Sequence, residues 1–166
     1  MNRRQWLAAA ASGTFVVPLA GLLRGGGAPM SAGSEGAFDV RKTDEEWRKS
    51  LTPIQYAVLR QHDTEFSGSS PLNAEKRNGT FHCAGCGQAL FSSEAKFESG
   101  SGWPSFWAAL EGAVAFTEDR SHGMFRIEMH CRRCGGHLGH LFPDGPKPTG
   151  QRFCTNGAAL TFTPRD

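Results

Sequence analysis

Cys83-Ala84-Gly85-Cys86-Gly87 and Cys131-Arg132-Arg133-Cys134-Gly135 repeat one five-residue device, Cys-x-x-Cys-Gly, and their reading decides the fold. Two residues between thiols let both sulfurs of a tight turn face one ion, and the Gly that follows frees backbone amides to approach and bond those sulfurs. Two such turns supply four thiolates for a closed tetrahedral zinc site. With no open coordination position the site is structural, tying the loop after the first pair to the hairpin around the second. Two disulfides, or a thioredoxin-like redox pair, are the competing uses of such cysteines. Neither explains why the motif occurs twice with the same trailing Gly. One structural Zn2+ per chain is therefore expected on Cys83, Cys86, Cys131 and Cys134.

The chain around these pairs carries turn residues every roughly 8–12 positions from Ser67 onward, with short alternating runs between them. Phe81-His82-Cys83, Ala113–Thr117, Phe125–His130 and Leu160–Thr163 read as strands. Helix signals come earlier. Thr43-Asp44-Glu45-Glu46 is a capping box opening a short helix with Trp47 and Leu51. Thr52-Pro53 restarts a second helix, in which Ile54, Ala57 and Val58 fall on one face. The expected fold is mainly β, two antiparallel sheets packed together with short N-terminal helices beside the zinc site, over one domain at 35–166.

Charge divides the chain. The net charge is +2, but Arg3, Arg4 and Arg24 stand in a stretch of 34 residues without an acid, and from Glu35 onward 15 basic residues face 16 acidic ones. A body of charge −1 offers no basis for binding nucleic acid or an anionic membrane surface. The leader, Asn2-Arg3-Arg4-Gln5-Trp6-Leu7 followed by the weakly apolar Ala8–Leu23, resembles a twin-arginine export signal. Gly13, Pro18 and Gly21 break the apolar stretch, which is short of the ~20 residues a stable membrane span needs. Residues 25–38 read as a Gly/Ser/Ala linker. The domain is expected in the periplasm, tethered to the membrane if the leader is not cleaved.

The five cysteines leave one over, Cys154, in Gln151-Arg152-Phe153-Cys154-Thr155-Asn156. A lone thiol is commonly a small buried hydrophobe, but these neighbours suit a nucleophile. In a strand Arg152 shares a face with Cys154 and lowers the thiol pKa, and Asn156 continues that face as an amide donor. Upstream, His137-Leu138-Gly139-His140 offers two imidazoles around a Gly, as proton donors or a metal pair. No third His or carboxylate stands at ligand spacing, which favours proton donors. Trp103, between Gly102 and Pro104, suits a core plug or a pocket wall equally.

Taken together, these segments resemble the B-type methionine sulfoxide reductases, which reduce the R epimer of methionine sulfoxide. The matching residues are Thr52-Pro53-x-Gln55-Tyr56 with Leu59-Arg60, Ser70-Pro71-Leu72, Cys83-Ala84-Gly85-Cys86, Ser99-Gly100-x-Gly102-Trp103-Pro104-Ser105-Phe106, Asp119-x-Ser121-His122-Gly123-Met124, Leu138-Gly139-His140-x-Phe142-Pro143-Asp144-Gly145 and Arg152-Phe153-Cys154-x-Asn156. The resemblance implies two antiparallel sheets with the active site on one sheet and zinc on the far side. It also implies roles: Cys154 as nucleophile, Trp103 against the S-methyl group, His137 and His140 around the sulfoxide oxygen, Asn156 as an orienting amide, and Arg152 and Phe106 as substrate contacts. Many relatives carry a second, resolving cysteine at the position of Ser101. Its absence calls for an external reductant, from a thioredoxin-like or glutaredoxin-like domain or a small thiol. The expected partners are oxidised proteins and peptides and that reductant, with no nucleic acid, and the expected state is a monomer. Two other readings compete: a zinc-ribbon-like binding module presenting Trp and Phe, and a reductase fold that has kept binding but lost turnover.

Overall fold

The computed structural model describes residues 38–165, so the expected leader and most of the linker lie outside the described residues. The two helices form where the capping signals stand. Helix α1 (Asp44–Ser50) begins on Thr43 and α2 (Pro53–Gln61) on Thr52, each with a complete capping box. The apolar face of α2 differs from expectation. Val58 is buried as expected, with Tyr56 and Leu59, whereas Ile54 is 47% exposed, because the side of α2 turned to β7 and the cysteine turns carries Val58 and Leu59 but not Ile54.

Nine strands follow among the described residues: β1 (Gly79–Cys83), β2 (Ala89–Ser92), β3 (Lys96–Phe97), β4 (Ser105–Phe106), β5 (Val114–Asp119), β6 (Arg126–Cys131), β7 (His137–Phe142), β8 (Arg152–Thr155) and β9 (Leu160–Pro164). They make two antiparallel sheets, one of order β2-β1-β9 and one of order β3-β4-β8-β7-β6-β5. The fold is therefore mainly β with two short helices, as the spacing of turn residues predicts.

Aromatic rings join the two sheets. Phe81 of β1 and Phe91 of β2 meet Phe106 of β4, the Phe91 and Phe106 rings stacked at 4.2 Å and the Phe81 and Phe106 rings edge-on at 5.0 Å. All three are fully buried, and rings packed at such separations add to the stabilisation from their apolar area. Phe106, expected to touch substrate, thus belongs to the core. At 0% exposure it has no surface to offer a ligand.

The two Cys-x-x-Cys-Gly segments fold alike. Gly87 and Gly135 adopt left-handed backbone, φ 73° and 68°, and each donates its amide to the carbonyl of the first cysteine of its pair at 2.8 Å. These glycine amides serve the turn, not the sulfurs. The turns set Cys83 Sγ 3.7 Å from Cys134 Sγ and Cys86 Sγ 3.6 Å from Cys131 Sγ, and no cysteine is in a disulfide. A tetrahedron of sulfurs around zinc at about 2.3 Å has edges of about 3.8 Å, so the four thiols sit at metal-binding distance, far outside the ~2.05 Å of a disulfide. Hydrogen bonds among the thiols hold Cys86 and Cys131 below the ordinary cysteine pKa and push Cys83 and Cys134 above it. Crowded thiols cannot all ionise without a cation. Arg60 of α2 donates to the Cys134 carbonyl at 3.2 Å, closing the helix over this cluster.

Candidate active site

Alternation along the six-stranded sheet sorts its side chains by face. In the β7–β8 ladder His140 stands opposite Cys154, and Phe142 opposite Arg152. One strand further, Glu128 stands opposite His140, and from β5 Thr117 faces Glu128 and Asp119 faces Arg126. These residues share one face. Met129 and Phe153 alternate to the other and pack into the core.

Gly139 sits where a side chain would not fit. With φ at 151°, a Cβ there would stand 2.1 Å from the Cys154 carbonyl oxygen, so the glycine lets β7 close on the backbone of Cys154.

On this face lies a cleft of about 140 Å3, lined by Trp103, His140, Phe142, Arg126, Cys154 and Asn156 with Thr64, Gly139 and Thr155. Trp103 is a pocket wall, not a core plug. Its indole N–H donates to the Glu65 carbonyl at 3.1 Å, which ties the polar edge of the ring to protein. Glu65 also braces the end of β8. Its carboxylate accepts the amides of Gly157 and Ala158, and its own amide donates to Asn156 Oδ1 at 3.1 Å. Asn156 Nδ2 donates to the Leu138 carbonyl at 3.2 Å, so this side chain ties β7 to the segment behind Cys154 and is not the free donor its position suggests.

The two histidines part company. His140 lines the cleft, with Nε2 2.7 Å from Asp119 Oδ2. Burial lowers its pKa, and the hydrogen bond to Asp119 offsets that only in part. Asp119 is held well below the usual carboxylate range by the Ser121 hydroxyl and amide and by His140. His137 is 2% exposed and stands behind, its ring centroid 5.4 Å from that of His140. Its Nδ1 lies 2.7 Å from Glu128 Oε1, and its buried Nε2 has no hydrogen-bond partner among the described residues. Burial works against ionisation of Glu128, but the hydrogen bond from His137 and the nearby imidazoles leave its pKa lowered.

At Cys154 the expected influence of Arg152 is present but outweighed. Burial pushes its thiol above the ordinary cysteine value, and the Arg152 charge, with hydrogen bonds from Ser101 and Arg152, offsets this only in part. Arg152 is shared: its guanidinium forms a two-bond pair with Asp144 at 2.8 and 2.9 Å and lies over the Phe142 ring. Ser101 Oγ lies 4.0 Å from Cys154 Sγ, so the loop places a hydroxyl beside this thiol where the resemblance implies a second thiol.

Residues 51–164 match the SelR domain family. The chain belongs to this family, that of the peptide methionine sulfoxide reductases MsrB. It is 53% identical over 126 residues to the peptide methionine sulfoxide reductase MsrB of Leptospira interrogans, covering 75% of this chain and 96% of that one. Identity to the protein of the same name from Bradyrhizobium diazoefficiens is 55% over 127 residues, 76% of this chain and 91% of the relative. The Methanosarcina barkeri protein is 56% identical over 126 residues, 74% and 87% of the two chains. As a member of the MsrB family the chain is an oxidoreductase acting on peptide methionine sulfoxide. Asp119, Glu128, Glu65 and Arg126, which frame the site, were not singled out by sequence as site residues. Alternation of Arg126 and Glu128 along one strand was the available signal for two of them, and no local pattern marked Glu65.

Proposed function

We propose that this protein repairs oxidised proteins and peptides by reducing the R epimer of methionine sulfoxide with Cys154. The observation that carries the reading is the placement of Cys154 and His140 opposite one another on the floor of a cleft walled by Trp103. A sulfoxide sulfur is electrophilic, but its oxygen leaves only when protonated, so a thiolate and an acid must meet on one substrate. With its pKa raised Cys154 rests as the thiol, and with its pKa lowered His140 rests as the neutral imidazole, its Nε2–H donating to the Asp119 carboxylate. Substrate binding then draws the thiol proton toward the sulfoxide oxygen, through His140 directly or by way of water, while Sγ attacks sulfur. Methionine departs and Cys154 is left as a sulfenic acid.

Trp103 presents an apolar wall for the S-methyl group, which supports a preference for one epimer. His137, bonded to Glu128 and packed against His140, positions that imidazole from behind. The four thiols suit Zn2+, which would act as a structural cross-link and supply no chemistry to the cleft. An external thiol regenerates Cys154, since the other four cysteines are occupied by the metal cluster. The Arg3-Arg4 leader supports export to the periplasm, and the body acts as a monomer.

The test is a steady-state assay of the purified chain on separate R and S epimers of a peptide methionine sulfoxide, with dithiothreitol or thioredoxin as reductant. Turnover of the R epimer alone is expected. No turnover of either epimer by folded, zinc-loaded protein would leave a binding role as the better account.

A further inference from the structure

We propose that the reducing thiol reaches Cys154 from the opposite side of Ser101 to the substrate, through a groove between Phe97–Ser101 and Asp144–Pro146, and that this groove selects against anionic thiols. The inference rests on the reading of Cys154 as the nucleophile. Two hollows lie near this residue, and Cys154 lines only the first of them. The cleft that holds Trp103 and His140 includes Cys154 itself, and a second groove of about 400 Å3 is lined by Ser101, Ser99, Glu98, Asp144, Pro146 and Arg152. Ser101 is the partition, its hydroxyl 4.0 Å from Cys154 Sγ and bonded to Ser99 Oγ at 2.8 Å.

The chemistry requires two directions of approach. The sulfenic hydroxyl is the oxygen delivered from the substrate cleft, and displacement at divalent sulfur keeps the incoming sulfur and the leaving oxygen close to a line. The thiol must then arrive from the side away from His140, and Ser101 is linked through Ser99 to Ser105 of β4, which pairs with Cys154 on the strand edge opposite His140. In the first step a new S–S bond forms between Cys154 and the thiol, the S–O bond breaks, and the oxygen leaves as water with the thiol proton. A second thiol attacks the outer sulfur, releasing reduced Cys154 and a disulfide of the small molecule.

The charge of the groove supplies its selectivity. Arg152 and Asp144 neutralise one another in their two-bond pair. Glu98 remains, its side chain 74% exposed and held only loosely by Lys96 at 3.9 Å, because Lys96 donates to the Asn73 carbonyl at 2.8 Å and is itself largely buried. One exposed carboxylate changes the local concentration of a singly charged thiol by about two- to threefold, hence about fivefold between cationic and anionic thiols.

The experiment measures re-reduction of the Cys154 sulfenic acid by 2-aminoethanethiol, 2-mercaptoethanol and 2-mercaptoethanesulfonate at equal thiolate concentration. The sulfenic acid is prepared both by one turnover of sulfoxide and by hydrogen peroxide. The expected order is cationic, neutral, anionic, flattened by Glu98→Gln and reversed by Glu98→Arg, with the single-turnover yield of methionine unchanged by either. Ser101→Gly, which thins the partition, is expected to speed re-reduction by all three at least threefold. A thiol order indifferent to both Glu98 variants, together with no gain in Ser101→Gly, would overturn the proposal. Absence of methionine in the first turnover would instead sink the reductase reading, while the peroxide-generated sulfenic acid would still report on the groove.

Discussion

Removing the guanidinium of Arg152 tests how a buried thiol is made nucleophilic here. Burial raises the Cys154 pKa, and Arg152 is the largest opposing influence. A full charge at hydrogen-bond range, about 4 Å, is worth about 4 kcal/mol at an effective dielectric of about 20. Asp144 shares the same guanidinium and cancels much of that, leaving about 1–2 kcal/mol of thiolate stabilisation. With the thiol mainly protonated near neutrality, Arg152→Met is expected to lower the thiolate fraction at pH 7 about tenfold. Since the variant moves the pKa up, the deficit shrinks as pH rises and vanishes once both proteins are ionised. Asp144→Asn should move the pKa the other way, because it frees Arg152 and removes a negative charge. The assay is the pH dependence of Cys154 alkylation by iodoacetamide, read peptide by peptide in the mass spectrometer, which needs no substrate and separates Cys154 from the metal-cluster thiols. An Arg152→Met profile superimposable on the parent would refute the reasoning and leave Ser101 or solvent as the source of the offset.

Two further outcomes follow from the cluster and the leader. Four thiols at 3.6–3.7 Å across the pairs are set at the spacing of a metal site, and a metal held there would be part of the folded state. The purified protein is expected to hold one zinc per chain, and Cys131→Ser to bring down both metal content and melting temperature. A metal-free protein melting where the loaded one does would remove zinc from the account, because structural zinc sites contribute free energy on the scale of folding itself, about 10 kcal/mol in small domains. For the leader, replacing Arg3 and Arg4 by Lys is expected to shift the protein from the periplasmic to the cytoplasmic fraction of expressing cells. An unchanged distribution would show that the arginine pair does not direct export.

What the sequence determined by itself was whatever is local. Both capping boxes are complete within four residues, the Cys-x-x-Cys-Gly turns carry their own geometry, and alternation marked β1, β5, β6 and β9. The odd cysteine followed from subtraction, and its place beside the Trp103 loop and the His140 segment came with the family motif, not with any periodicity. Tertiary structure decided what depends on pairing between distant segments. Register set His140 against Cys154 and left His137 behind it, although the two stand alike in sequence. Phe106 follows the Trp103 loop in sequence, yet strand geometry turns its ring into the core against Phe91. Glu65, remote from every motif, holds Trp103 through its carbonyl and the end of β8 through its carboxylate. The pKa of Cys154 was beyond the reach of sequence for the same physical reason. Arg152 is a local neighbour whose sign can be read from the chain, whereas the burial that outweighs it is a sum over strands and loops brought together only by the fold.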